Sequence, residues 1–387
     1  MKEISSTHIS NSKVSAPMAS NRISGYDLAR ALAFFGMLII NYWVLMEDYN
    51  PFPPWVAFVL DSIQGRAAAT FVVLAGIGLS LLSRRAYLNR DAVSMRIIRH
   101  RMWRRAIFLF VIGGLNSMIW GADILHFYAI YFAAGAVFLN FSNQRLFVLA
   151  TISVTIFSLL MFIFDFDLGW ERGSISYEDW PNMPRLAGHL FFNGHYPFFP
   201  WVAFMVLGLW LGRQDLTDNA MRNAILLAGI GAMFFSEFIS WLALNIRSFD
   251  SSDLYLDAVL PWFYIDPWEP MPLFLISAGG TALVVIGYCM VLTEKLGNAQ
   301  WISPFIAVGQ STLTLYVAHT LIGSILLKGM ELCKIEPYFF PIWGAILFFI
   351  SALLISSLWK KHLHRGPLEW LMRGFLNFTL PLKAKTV

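Results

Sequence analysis

Residues 22–43 read RISGYDLARALAFFGMLIINYW, an apolar run with a charged entrance and a polar exit. Its length and composition suit a membrane-spanning helix. Asp27 and Arg30 stand three residues apart, so they share a helix face. Asn41 follows Arg30 by eleven residues, close to three whole turns. At about 1.5 Å per residue, the stripe from Asp27 to Asn41 is roughly 21 Å long, most of a hydrocarbon core. A helix needed only as an anchor has no use for such a stripe. Polar groups at membrane depth are costly unless partnered, so they face a bundle interior or a wet cavity. The stripe is therefore expected to line a cavity that the rest of the chain walls in. The plainer alternative makes Asp27 and Arg30 a topology anchor, with Arg30 snorkelling, and Asn41 one interhelical hydrogen bond.

The rest of the chain has the composition of a polytopic membrane protein. Of its 387 residues, 57% are hydrophobic and only 13% charged, whereas a soluble domain is about half apolar and a quarter charged. The first 20 residues are polar and Ser-rich without an apolar core segment, so no cleavable signal peptide is expected. The net charge of +4 is no nucleic-acid signature, because the basic residues cluster beside apolar segments. Cys289 and Cys333 form no CxxC motif, and neither a disulfide framework nor a zinc site is expected.

The expected fold class is all-α: a polytopic membrane helix bundle of about ten transmembrane helices. The spans fall at 27–46, 66–83, 104–120, 124–140, 146–164, 197–213, 221–245, 270–292, 304–327 and 338–359. Positive charge sets their orientation. The segment Arg84–Arg105 carries eight arginines: Arg84, Arg85, Arg90, Arg96, Arg99, Arg101, Arg104 and Arg105. Placing it in the cytoplasm puts both termini there too, and puts the acidic stretches 165–196 and 246–269 outside. The expected division is a disordered cytoplasmic tail (1–21), a transmembrane bundle (22–360) and a cytoplasmic interfacial tail (361–387). In that last part, HRGPLEWLMRGF (364–375) suits a short helix lying in the interface. Three outer stretches, 47–65, 189–201 and 261–272, are rich in Pro and aromatic residues. Such rings form interface belts, or a packed lid over an outer opening. No internal repeat is legible.

Three polar groups sit at or inside the expected membrane region. In GADILHFYAIY (121–131), Asp123 and His126 are three apart. A carboxylate beside an imidazole fixes its tautomer and raises its basicity, as a general base needs. Asp123 would also serve as a plain helix N-cap. In GQSTLTLYVAHTLIG (309–323), His319 lies in an apolar helix, with Tyr316 one turn away and Thr312 on the same face. A membrane-embedded His is a functional candidate by default, and a core His satisfied by a hydroxyl such as that of Thr312 is the alternative. In FNGHYPFFPW, Asn193 and His195 flank Gly194 in an outer turn, most simply a surface turn. Gln64 and Arg66 open the second span, where Arg66 is placed to hold an anionic acceptor or to pair with Asp61. GxSxG, Walker A, HExxH and dinucleotide-binding glycine patterns are absent, which argues against nucleotide hydrolysis.

The segments RISGYDLARALAFFGMLIIN, DILHFYAIYF, FNGHYPFFPWVAFMVLGLWLGR, PFIAVGQSTLTLYVAH and RGPLEWLMR together resemble the YeiB-like bacterial membrane proteins, a domain of unknown function. That family is similar in turn to transmembrane acyltransferases, including the lysosomal heparan-glucosaminide acetyltransferase. The resemblance implies transfer of an acyl group from cytoplasmic acyl-CoA to an acceptor across the membrane. The NY pair closing that enzyme's first span matches Asn41–Tyr42, and the His of its YVAH matches His319. Its catalytic His lies in the loop after the first span, and the corresponding loop here, 47–65, contains no His.

Two functions from different classes fit these residues. An acyltransferase would rest the donor's phosphates on Arg99, Arg101, Arg104 and Arg105, since guanidinium groups pair bidentately with phosphate. His126 or His319 would be the base, beside Asp123. Asn41 would donate to the developing oxyanion, a role worth about 3–4 kcal/mol for a side-chain amide. Asp27, Arg30, Gln64, Arg66 and His195 would contact substrate. Acyl-CoA, by resemblance acetyl-CoA, is the co-substrate, and no metal is expected. The expected partners are the lipid bilayer and a small-molecule, glycan or lipid acceptor bearing a hydroxyl or amine; nucleic acid is not among them, and a homodimer is compatible. The expected location is the bacterial plasma (inner) membrane. The alternative is a transporter or exporter of a small polar or amphipathic solute, with the histidines as proton relays. A lipid-binding or sensory protein without chemistry is a third reading. Acyl-CoA discriminates, because only the acyltransferase should bind it.

Overall fold

The computed structural model describes residues 23–44, 53–170, 177, 183–247, 260–296, 299–332, 340–362 and 365–377. The expected tail 1–21, residues 47–52 of the first outer stretch, Cys333 and residues 378–387 lie outside the described residues. Apolar runs become helices in chain order: α1 Ser24–Val44, α2 Pro54–Ile63, α3 Arg66–Leu88, α4 Ala92–Ser117, α5 Leu125–Phe138, α6 Asn143–Ile163, α7 Met183–Gly188, α8 Phe198–Leu211, α9 Asn219–Arg247, α10 Pro272–Leu296, α11 Ser303–Gln310, α12 Thr312–Leu332, α13 Phe340–His362 and α14 Pro367–Asn377. Among the described residues the one β feature is an isolated bridge between Trp170 and Tyr177.

Local chemistry starts and stops these helices. Pro54 opens α2, where the missing N–H costs nothing. Asp91 caps α4 by accepting from the Val93 and Ser94 amides, both at 3.0 Å. The expected ninth span is not one helix but two. Ser311 leaves helical geometry (φ −120°, ψ 21°) and separates α11 from α12. The freed amides of Leu313 and Thr314 are taken by the Glu369 carboxylate of α14, at 2.7 and 3.2 Å.

Seven helices among the described residues are long and apolar enough to cross a membrane, or eight if a bent pair (Arg185–Asn193 with Phe198–Leu211, 48°) makes one span. The ten expected crossings are thus met only in part. α5 and α8 have 14 residues each, roughly 21 Å, too short alone for a hydrocarbon core of about 30 Å. α4 has 26 residues but carries arginines through its first half.

α1 is the hub, packing against α2, α3 and α10–α13. The outward faces of α6, α9 and α13 are apolar, with Phe162, Phe234 and Leu354 among the exposed side chains. Such a surface suits lipid rather than water. Asp27 and Asn41 both point into the protein, and Arg30 is only part-exposed, so the polar stripe of α1 does face the interior.

Candidate functional site

The corner between α4 and α5 organises the first half of the site. Asp123 is buried there and accepts the two amides that open α5, Leu125 at 2.8 Å and His126 at 3.2 Å. The same oxygen lies 3.0 Å from His126 Nδ1, and the other accepts from the Asn116 amide at 2.8 Å. A Nδ1–H donated to Asp123 leaves the basic lone pair of His126 on Nε2. Gly113 permits this corner: a Cβ there would stand 2.3 Å from the His126 amide nitrogen.

α12 brings the second half. His319 Nε2 lies 2.9 Å from the Asn41 amide nitrogen at the far end of α1. The amide is the donor, so the His319 ring proton sits on Nδ1. Thr312, the hydroxyl suggested by the sequence, is not the partner. Thr320, next to His319, donates to Asn116 Oδ1 at 2.8 Å. The Tyr316 hydroxyl accepts from the Ile124 amide at 3.2 Å, and its ring meets His319 at 5.0 Å between centroids. The chain His126–Asp123–Asn116–Thr320 therefore ends beside His319–Asn41. Asn116 and Thr320 were not singled out by sequence reasoning; their only signal was a polar residue inside an apolar run.

His189, also missed, stacks on His126 at 5.6 Å and 18°. It lies buried in an aromatic cluster with Tyr177 and Phe127. His195 packs between Trp170 (4.6 Å) and Trp268 (5.5 Å) rather than forming a bare turn. Asn193 is a loop staple, donating to the Phe166 and Leu168 carbonyls at 3.0 and 2.8 Å.

A cavity of about 620 Å³ opens among α1, α3, α4, α5, α12 and α14. Arg30, Arg101, Arg105, Arg365 and Arg373 line it, and Met37, Leu109, Ile124 and Tyr316 belong to its apolar wall. Tyr316 thus touches both the cavity and the histidine network. Arg105 also lies over the Phe132 ring at 4.3 Å. Two of the four arginines expected at phosphates are otherwise engaged. Arg99 donates to the Ala136 and Val137 carbonyls at 2.9 and 3.3 Å. Arg104 donates to Leu376 and Phe375 at 2.8 and 2.6 Å, closing the last turn of α14.

The remaining candidates have structural partners. Asp27 pairs with Arg30 and accepts from the Gln310 amide at 3.0 Å. Arg66 pairs with Glu237 of α9 at 2.8 Å and reaches Ser277 at 3.0 Å. From Asp61 it takes only the backbone carbonyl, at 3.3 Å, so the expected Asp61 ion pair is replaced by one to Glu237. Gln64 is the C-cap of α2, beside this clamp.

Fold and site together define a multi-pass, all-helical membrane protein with a buried carboxylate–histidine network above an arginine-lined cavity. Residues 22–229 match the family model described as "Heparan-alpha-glucosaminide N-acetyltransferase, catalytic", and residues 264–379 match "Protein of unknown function (DUF418)". The first match covers more than half of the chain, which therefore belongs to this membrane acyltransferase family. The chain is also 22% identical over 365 residues to the "Uncharacterized 39.9 kDa protein in amylase 3'region" of Bacillus acidopullulyticus, covering 91% of this chain and 93% of that one.

Proposed function

We propose that the protein transfers an acyl group from cytoplasmic acyl-CoA to a hydroxyl or amine acceptor on the other side of a bacterial inner membrane. The observation that carries this reading is the continuity at Tyr316 between the cavity and the histidine network. An arginine mouth and an apolar interior suit a donor with an anionic head and an uncharged arm. The matching family, that of an N-acetyltransferase, supports acetyl as the group moved.

The geometry favours His126 as the base, because His319 Nε2 already takes the Asn41 amide. The acceptor oxygen or nitrogen attacks the thioester carbonyl carbon; a C–O or C–N bond forms and the C–S bond breaks. The acceptor's proton passes to His126 Nε2 and then to the departing thiolate, so CoA leaves as the thiol. Asp123 holds Nδ1–H and stabilises the imidazolium that forms. One Asn41 N–H meets His319; the second is the donor assigned to the carbonyl oxygen.

Calorimetric titration of acetyl-CoA into the protein in nanodiscs tests the donor. Saturable binding that weakens with Arg101→Ala is expected. Absence of binding would favour the transporter reading.

A further inference from the structure

The C-terminal helix α14 is held on the bundle at both ends. Near its start, Glu369 accepts from the Leu313 and Thr314 amides and from the Thr314 hydroxyl, the last at 2.5 Å. The Thr314 oxygen in turn accepts from the Leu368 amide at 2.9 Å, so two helix starts cap each other. At its end, Arg104 of α4 takes the Phe375 and Leu376 carbonyls.

This helix also brings charge to the cavity. Arg365 and Arg373 join Arg30, Arg101 and Arg105 on the wall, against Glu369 as the one carboxylate among the described lining residues. The Glu369 oxygens already serve the α12 amides and hydroxyl. Arg30 is already paired with Asp27; the other guanidinium groups gathered around the cavity repel each other, and a multiply charged anion between them reverses the sign. The helix that Glu369 caps carries Tyr316, His319 and Thr320, each tied to the site.

We propose that α14 is the phosphate-binding floor of the cavity, and that a polyphosphate bound by Arg365 and Arg373 fixes the first turn of α12 through Glu369. The identity of the anion as the CoA nucleotide rests on the acyl-CoA reading; the floor itself does not. In this arrangement Glu369 is a positioning residue, because it reaches the site only through α12. The residues 264–379 matched by the model of unknown function would then supply two of the five arginines of the donor site.

The test is hydrogen exchange with mass spectrometry on the full chain in nanodiscs of zwitterionic lipid, with coenzyme A or pyrophosphate as probe. Either probe should slow exchange across 367–377 and at 313–316. Arg365→Ala/Arg373→Ala should weaken binding about tenfold or more and abolish both protections. Glu369→Ala should keep protection of α14 but lose it at 313–316, and Glu369→Gln, which retains an acceptor oxygen, should restore it in part. Arg365→Gln/Arg373→Gln, which preserves side-chain bulk, guards against a folding defect and should behave as the Ala pair. Unchanged binding in both double variants would overturn the proposal. So would protection by anionic lipid alone with nothing added by either probe. Protection by pyrophosphate without any response to coenzyme A would keep the floor and defeat the donor reading. Response to neither would defeat both.

Discussion

The Asn41 amide nitrogen stands 2.9 Å from His319 Nε2 across a separation of 278 residues, joining the end of α1 to the interior of α12 inside the bundle. Interhelical side-chain hydrogen bonds in membrane proteins contribute about 0.6 kcal/mol on average, and about 1.7 at most. Asn41→Leu should therefore lower the thermal midpoint in detergent by a small, measurable amount. An unchanged midpoint would show that the bond carries no stability.

Gly113 and Gly114 provide a paired test of the α4–α5 corner. A Cβ at Gly113 would meet the His126 amide nitrogen at 2.3 Å, whereas at Gly114 nothing lies within 4 Å. Ala is the better helix former by about 1 kcal/mol. Gly114→Ala should thus be neutral or slightly stabilising, and Gly113→Ala destabilising, by thermal unfolding. Equal effects would contradict the close approach.

The arginines should separate by role. Arg101 is exposed at the cavity mouth, so Arg101→Ala should raise the KM for acyl-CoA with little change in kcat. Arg99 and Arg104 hold backbone carbonyls. Arg104→Ala should instead lower stability, by about 1–3 kcal/mol for donors to otherwise unmet carbonyls. Kinetics and unfolding on the same pair of variants check this.

Burial holds the Glu369 carboxyl above its ordinary value of 4.5, while the Thr314 hydroxyl and the Leu313 and Thr314 amides pull it down. A folded value above the unfolded one favours the acid side: the contribution is complete below the unfolded value and is lost as pH rises through the folded one. Thermal midpoints of the wild type should fall from mildly acid to neutral pH more than those of Glu369→Gln. Parallel profiles would contradict this.

Much of the fold was legible because membrane segments announce themselves by apolar length. The inward face of α1 was legible for the same reason: an amide or an ion pair left in acyl chains has no partner. What each polar group would meet was not legible. The partner of Arg66 proved to be Glu237, 171 residues on, because α10 packs beside α3 and also carries α9. Asp123 and His126 were readable together, being three apart on one turn. Asn116 and Thr320, which connect them to His319, lie on two helices whose contact no local rule predicts. An arginine-rich stretch looks uniform in sequence, yet Arg104 closes a helix while Arg101 faces a cavity. The break at Ser311 was hidden because its compensation, Glu369, arrives from the far end of the chain.

The most direct measurement is thiol release from acetyl-CoA supplied at the arginine-lined face of reconstituted protein, with water or an added amine or alcohol as acceptor. A general base contributes about 100- to 10,000-fold. His126→Ala should lose that much rate while still binding acetyl-CoA, and Asp123→Asn should lose rate in the same direction. Full-rate release by a His126→Ala, His319→Ala double variant would contradict the account.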